Sequence, residues 1–215
     1  MSLRSNTYNS TSKSKNAEKK KEEVKGPTMN LFLINVIMYI ITSIIGGNFI
    51  ITNPAPIYWF GFSYYVFLFH LHFWAPFTSL FTHASIAHIG GNMIFLFVFG
   101  FRLEENNYSD KSIYTAYFLT GLSGSLLSML PILLANPLTI TVGASAAVFG
   151  LLGVNIGIEK RKNNIIARNM IFASIILFLF SVSENTNILS HFFGLLSGYF
   201  LGKSNYFERI GLKSN

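Results

Sequence analysis

Acidic and basic side chains are missing from two long stretches of this chain. No Asp, Glu, Lys or Arg occurs from Gly26 to Phe101 or from Ser112 to Ile158. A helix needs about 20 apolar residues to cross the hydrocarbon core of a bilayer, so each stretch is long enough for two spans. The pattern therefore predicts an all-α polytopic membrane protein, although the mean hydropathy of +0.44 is only moderately high.

Polar segments divide the apolar sequence into six predicted spans. Asn136 and Pro137 are typical of a turn, and a polar stretch at residues 183–187 separates the last two spans. The spans are predicted at residues 31–51, 82–101, 112–134 and 145–158, followed by two shorter runs that end near Val182 and Leu201. A six-transmembrane-helix bundle is expected.

Lys and Arg residues accumulate on one side of these spans. They occur before the first span, in the loops after the second and fourth spans, and after the sixth span. Cytoplasmic loops of membrane proteins carry an excess of Lys and Arg, so both termini are expected to be cytoplasmic. The net charge of +7 then reflects topology. Nucleic-acid binding, which would need a basic face on a folded domain, is not expected.

Two tails flank the predicted membrane domain, which covers residues 31–203. Residues 1–30 are rich in Ser, Asn and Lys and have few apolar side chains, so they are predicted to form a disordered basic cytoplasmic tail. Residues 204–215 are predicted to be a short cytoplasmic tail. The protein is expected to be integral and multi-pass, in the plasma membrane if the source is prokaryotic. Because the chain has no cysteine, disulfides, thiolate catalysis and Cys-ligated metals are excluded.

Four polar residues occur at similar depths in three of the spans. His88 and Asn92 are four residues apart on the second span and therefore share one helix face. Ser145 opens the fourth span, and His191 lies near the start of the sixth. All three spans would start at the outer side of the membrane, so the four residues are expected to form one site.

A serine facing a histidine suggests acyl transfer, which needs a base for the hydroxyl proton and donors for the oxyanion. His191 is the candidate base. The only aspartate, Asp110, is predicted on the cytoplasmic side, so a Ser–His dyad is expected rather than a triad. The N–H of Ser145, at the positive end of a helix dipole, and the side chains of His88 and Asn92 are the candidate oxyanion donors.

Glycines recur on the two spans that carry Ser145 and His191. They are Gly143, Gly150, Gly153 and Gly157 around the fourth span and Gly194, Gly198 and Gly202 on the sixth. Small residues at this spacing let membrane helices approach closely, as contact between a short serine side chain and an imidazole requires. Phe149, one turn after Ser145, is expected to pack against the His191 ring.

With these motifs the chain resembles the rhomboid family of intramembrane serine proteases over roughly residues 30–203. The matching elements are His88-x-x-x-Asn92, Gly143-Ala144-Ser145 and His191-x-x-Gly194-x-x-x-Gly198. The resemblance implies Ser145 as nucleophile, His191 as general base, and an oxyanion site formed by His88, Asn92 and the Ser145 N–H. It also implies that the partners are transmembrane helices of other membrane proteins in the lipid bilayer, cleaved near their outer ends without a metal or other cofactor.

Three further features bear on the resemblance. Glu104 fits the Gly-x-x-x-Glu pattern that follows the second span in the family, which implies a structural role. Ala146 stands where the family motif usually has glycine, and modestly altered packing is expected. Trp74 is followed by Ala75 instead of the family's arginine, so the first loop must be anchored differently. Its aromatic segment, residues 58–74, is expected to lie in the membrane interface.

Other functions remain open. A catalytically weak or inactive rhomboid-like protein would bind membrane clients, and Ala146 is the sequence feature that favours it. A small transporter would need ionisable groups along the full depth of the membrane and some internal repeat, neither of which is evident. A metalloprotease would need H-E-x-x-H, which is absent, and His70 and His72 are interpreted as interfacial loop residues rather than metal ligands.

Overall fold

Ten helices make up most of the described part of the chain. The computed structural model describes residues 26–162, 165–180 and 187–211. The helices are α1 (Pro27–Gly46), α2 (Pro54–Phe60), α3 (Tyr64–Phe69), α4 (Ala75–Thr78), α5 (Ile86–Glu105), α6 (Asp110–Ala135), α7 (Ser145–Arg161), α8 (Ile165–Phe180), α9 (Ile188–Lys203) and α10 (Asn205–Gly211). Within the described ranges, β pairing is limited to two isolated bridges, Ile51 with Ser85 and Phe62 with Thr141. The prediction of an all-α fold is confirmed.

Three of the helices are long and apolar enough to cross a membrane, judged by length and composition. They are α1, α5 and the Asp110–Leu134 part of α6. The remaining long elements are shorter: α7 has 17 residues, and α8 and α9 have 16 each. The count of six spans therefore stays a prediction.

Two helix ends differ from the predicted bounds for identifiable reasons. The first helix ends at Gly46 rather than near residue 51, because Gly47 adopts a left-handed conformation with φ +66° and its N–H bonds back to the Ile44 carbonyl. The second begins at Ile86 rather than at residue 82. Ser85 forms its N-cap, because the Ser85 hydroxyl accepts a hydrogen bond from the His88 N–H at 3.1 Å.

Helix α7 lies at the centre of the bundle. Every residue from Ala146 to Glu159 is buried, and α7 packs on α5, α6, α8 and especially α9. Helix α1 lies at the periphery and packs mainly on α5. Its outer face presents aliphatic side chains such as Ile37 and Ile44, which are 54% and 64% exposed, as expected where lipid would cover a helix.

Three short helices connect α1 to α5, and aromatic contacts hold this connection together. The Trp74 indole N–H donates to the Trp59 carbonyl at 2.7 Å. The His72 ring stacks at 4.8 Å on each of these two tryptophans, while His70 contacts the Tyr58 hydroxyl. These contacts anchor the loop without the arginine of the family pattern.

The predicted tails are only partly described. Residues 1–25, residues 181–186 with their predicted loop, and residues 212–215 lie outside the described residues. After residue 203, where a tail was predicted, α10 packs against the bundle. Phe207 is fully buried and stacks on Tyr108 at 5.2 Å, and Glu208 pairs with Arg161 at 2.9 Å. Residues 205–211 are thus part of the folded domain.

Candidate active site

Ser145 is the first residue of α7, and the turn before it brings it close to α5. Gly143 has φ +121°, a conformation that side chains rarely adopt. The Gly143 N–H donates to the Ser79 carbonyl at 2.8 Å, and the Ala144 carbonyl accepts from the Val148 N–H at 2.9 Å. The helix therefore starts directly after a tightly held glycine turn, with the Ser145 N–H among its unsatisfied first-turn donors.

His88 lies against this turn from the first part of α5. A β-carbon on Gly143 would lie 2.7 Å from both Cε1 and Nε2 of His88, and 3.7 Å from the Ser145 Oγ. The imidazole therefore occupies the space that a side chain at position 143 would need. Gly143, predicted only as a packing residue, is what lets His88 approach the serine.

Asn92 shares the His88 face of α5, one turn further along. Its side chain is 7% exposed, and its amide Nδ2 donates one hydrogen bond to the His88 carbonyl at 3.0 Å. Because an amide nitrogen carries two hydrogens, this bond uses only half of its donor capacity. Asn92 thus belongs to the polar face of α5 that includes His88.

His191 lies near the start of α9 and is 5% exposed. Its ring stacks on Phe149 with a centroid separation of 4.6 Å and an interplanar angle of 15°, the contact expected from the position of Phe149 one turn after Ser145. Asn187 caps α9 by accepting from the Ser190 N–H at 3.2 Å, and its amide donates to Ser128 on α6 at 2.9 Å. The start of α9 is therefore tied to α6.

Glycine contacts set the level at which α9 meets α7. A β-carbon on Gly194 would clash with the Ala146 carbonyl, and one on Gly198 would clash with the Gly150 carbonyl. The same close approach recurs further along at Gly153, Gly157 and Gly202. Because Gly194 is three residues after His191 and Ala146 directly follows Ser145, the two candidate dyad residues lie at the same level of the α7–α9 interface.

The methyl group of Ala146 lies beside Gly124 of α6, at a point where α6 also meets the start of α9. A β-carbon on Gly124 of α6 would lie 2.9 Å from the Ala146 β-carbon. The backbone approach to α9 occurs through the Ala146 carbonyl, next to Gly194. Gly124 therefore accommodates the extra methyl, which answers the packing question raised by the departure from the family motif.

A small polar depression adjoins Ser145. Its lining includes four serines and a threonine from several parts of the chain: Ser79, Ser125, Thr141, Ser145 and Ser190. Hydroxyl groups at this depth give the site a polar wall inside an otherwise apolar bundle. No group of three or more His, Cys, Asp or Glu that could hold a metal occurs within the described residues.

Sequence reasoning missed the position of His83, for which it expected a structural role near the water boundary. The side chain is fully buried, and its Nε2 accepts the Ala144 N–H at 3.4 Å. The signal that could have identified His83 is its position. It lies two residues before Ser85, the N-cap of the helix that carries His88.

Glu104 has the structural contacts that its motif implied. Its carboxylate accepts the Thr28 backbone N–H at 2.8 Å, which satisfies a free donor at the start of α1 and places a negative charge at the positive end of that helix. Thr28 in turn packs against Gly100 of α5. Glu104 therefore links the end of α5 to the beginning of α1.

Comparisons with known proteins agree with this architecture. The sequence model of the rhomboid domain family matches residues 70–205 of this chain. The chain is 29% identical to Rhomboid-like protease 3 of Toxoplasma gondii over 171 residues, which is 76% of this chain and 63% of that protein. It is 35% identical over 137 residues to RHOMBOID-like protein 1 of Arabidopsis thaliana, covering 60% of this chain and 33% of that protein.

A third relative is RHOMBOID-like protein 6, mitochondrial, of Arabidopsis thaliana, which is 34% identical over 60% of this chain and 42% of its own length. The chain thus spans less than two thirds of the length of each of these three relatives. The rhomboid model, however, matches more than half of this chain and includes all four candidate site residues. Together with the apolar helices, this match shows an integral membrane protein that belongs to the rhomboid family.

Proposed function

We propose that this protein is an intramembrane serine endopeptidase that cleaves transmembrane helices with a Ser145–His191 dyad. The observation that carries the proposal is the close approach of α5, α7 and α9, which brings His88 beside the Ser145 turn and sets His191 at the level of Ser145. A nucleophile, a base and donors for the oxyanion are the groups that acyl transfer needs.

In the proposed reaction, His191 takes the proton from the Ser145 hydroxyl as the serine oxygen attacks the scissile carbonyl. The tetrahedral intermediate collapses to an acyl-enzyme, and His191 returns the proton to the leaving amine. A water molecule, deprotonated by His191, then releases the new carboxyl end and regenerates the serine. The stack of the His191 ring on Phe149 supports this role, because it limits the orientations that the imidazole can adopt.

The oxyanion would be stabilised by the Ser145 N–H, the His88 side chain and Asn92. The Ala84 N–H donates to Nδ1 of His88 at 3.4 Å, so Nδ1 acts as the acceptor and the proton of the neutral ring is on Nε2. Because Nε2 is the nitrogen that faces Gly143 and Ser145, His88 can donate a hydrogen bond towards a developing oxyanion.

The proposal includes a six-span topology with both termini in the cytoplasm and the active site opening to the outer side. The hydroxyl groups around Ser145 support a polar site, and hydrolysis requires that water reach it from the outer side. A substrate helix must unwind locally, since its peptide bonds are shielded within the helix. Substrates with helix-weakening residues near the cut are therefore expected. For a prokaryotic source the membrane would be the plasma membrane.

Cleavage of a model transmembrane substrate in liposomes tests the proposal. Wild-type protein should cleave it, and the Ser145→Ala and His191→Ala variants should not. Ser123→Ala is the matched control, because the Ser123 hydroxyl bonds only within its own helix, to the Leu119 carbonyl at 2.7 Å, and it should cleave like wild type. Cleavage by Ser145→Ala would refute the proposed nucleophile.

A second candidate function is client binding without proteolysis, which the alanine after Ser145 favours. Gly124 accommodates that methyl group, which weakens this reading. If wild type cleaves no substrate yet binds transmembrane helices, and Ala146→Gly restores cleavage, the non-proteolytic function is the correct one.

A further inference from the structure

His83 is a buried imidazole that contacts both the turn before Ser145 and the candidate oxyanion donor His88. Its side chain has no exposed surface. Its ring packs edge-on against the His88 ring with a centroid separation of 5.0 Å and an angle of 71°. The dyad mechanism assigns it no part, although a fully buried polar ring needs partners for its nitrogens.

The partners of its two nitrogens define its protonation state. Nδ1 faces the Phe81 carbonyl at 3.1 Å, and since a carbonyl oxygen can only accept, Nδ1 carries the proton. Nε2 faces the Ala144 N–H at 3.4 Å, and since an N–H can only donate, Nε2 supplies the lone pair. Both contacts are satisfied together only by the neutral Nδ1–H tautomer.

The backbone around His83 is fixed from the first loop. The Thr52 hydroxyl donates to the His83 carbonyl at 2.6 Å, and the Thr52 N–H donates to the Ala84 carbonyl at 2.9 Å. The next N–H along, that of Ala84, reaches Nδ1 of His88. Thr52 thus anchors the dipeptide His83–Ala84. The His83 ring contacts the turn before Ser145, and the Ala84 N–H orients His88.

We propose that His83 is a positioning residue: as the neutral Nδ1–H tautomer, it holds the Ala144 N–H and thereby fixes the turn that presents Ser145 to His88. The consequence for catalysis rests on the proposed function, whereas the tautomer and the contact with Ala144 do not. Loss of the two nitrogens should loosen the Gly143–Ser145 turn without altering substrate binding.

Kinetics of two variants test the catalytic consequence. His83→Phe keeps the shape of the ring but removes both nitrogens, and kcat should fall about 3- to 10-fold, as for one lost hydrogen bond, with KM unchanged. His83→Gln retains a donor and an acceptor and should recover most of the wild-type kcat. A wild-type kcat for His83→Phe would overturn the proposal, and so would an equal loss in both variants.

Nitrogen NMR of ¹⁵N-histidine-labelled protein tests the tautomer without any substrate. A histidine signal with the Nδ1–H pattern should disappear in His83→Phe and remain in His70→Phe, the matched control at an exposed position. An Nε2–H or doubly protonated pattern for His83 at neutral pH would overturn the proposal. Because this readout needs no cleavage, it separates failure of the His83 proposal from failure of the proposed proteolysis.

Discussion

Gly143 combines an unusual backbone conformation with a close neighbour, and both restrict what can replace it. Its φ of +121° disfavours side chains, and a β-carbon would lie 2.7 Å from the His88 ring. Strain of this kind costs about 1–3 kcal/mol, and relief would require either the Ser145 turn or His88 to move.

Gly143→Ala should therefore lower kcat/KM by about 5- to 150-fold, the range that 1–3 kcal/mol of strain in the active-site turn would produce. The measurement is cleavage of the same liposome-embedded substrate. Gly90→Ala is the matched control on α5, because nothing lies within 4 Å of its added methyl and alanine favours a helix by roughly 0.5–1 kcal/mol. Equal activity of the two variants would contradict the account of the turn.

At the same scale, the sequence was informative where a residue's type limits its chemistry. Ser145, His88, Asn92 and His191 became candidate site residues because polar side chains are costly inside apolar spans. His83 was not, because an imidazole just outside a predicted helix has many possible partners. Its contact with Ala144 depends on how residues 61 positions apart meet in three dimensions, which no local pattern encodes.

The α7–α9 pair is the element on which the site depends most. Its glycines place backbone against backbone: a methyl on Gly198 would meet the Gly150 carbonyl, and one on Gly153 would meet the Leu195 carbonyl. Backbone atoms inside helices cannot turn aside as a flexible side chain can. A single methyl here must separate the two helices.

Gly198→Ala should therefore destabilise the folded bundle by about 1–3 kcal/mol, the usual cost of overpacking. Thermal unfolding in detergent micelles measures this effect as a lower midpoint. Gly91→Ala on α5, where an added methyl meets nothing within 4 Å, should leave the midpoint unchanged or raise it. If Gly198→Ala unfolds at the wild-type temperature, the interface is looser than the glycine contacts imply.

The long helices were predictable from the length of the stretches without charged residues, whereas the residues at which they begin and end were not. Ser85 starts α5 through one hydrogen bond, and Gly47 ends α1 through one backbone angle. A single sequence gives only a weak signal for either feature. The short helices α2, α3 and α4 likewise were not predicted, because they lie in and beside the aromatic segment of the first loop. Their packing follows from contacts such as that of Trp74 with Trp59, not from periodicity.

For the whole molecule, the distribution of Lys and Arg makes a topological prediction that single-cysteine labelling can check. The chain has no cysteine, so each variant carries one reactive thiol. Asn136→Cys, between α6 and α7, should react with a membrane-impermeant maleimide on intact cells. Lys162→Cys, at the end of α7, should react only after the membrane is permeabilised. Both positions are exposed. Labelling in the opposite order would contradict the proposed orientation.

The C-terminal end shows what the whole fold adds to the sequence. A short polar segment after the last apolar run is usually a tail, but here Phe207 is a core residue that stacks on the buried Tyr108 ring. The pairing of Arg161 with Glu208 likewise joins the end of α7 to α10. Such contacts arise only after the helices have assembled, so they were not predictable residue by residue.

If Ser145 is a nucleophile activated by His191, it should react covalently with a reagent directed at active-site serines. The purified protein would be treated with a fluorophosphonate, and the modified residue would be located by mass spectrometry. Ser145 should be modified in the wild type, and this modification should be lost in Ser145→Ala, strongly slowed in His191→Ala and unchanged in Ser123→Ala. An unmodified Ser145 in the folded wild-type protein, or equal labelling of His191→Ala and wild type, would contradict this expectation.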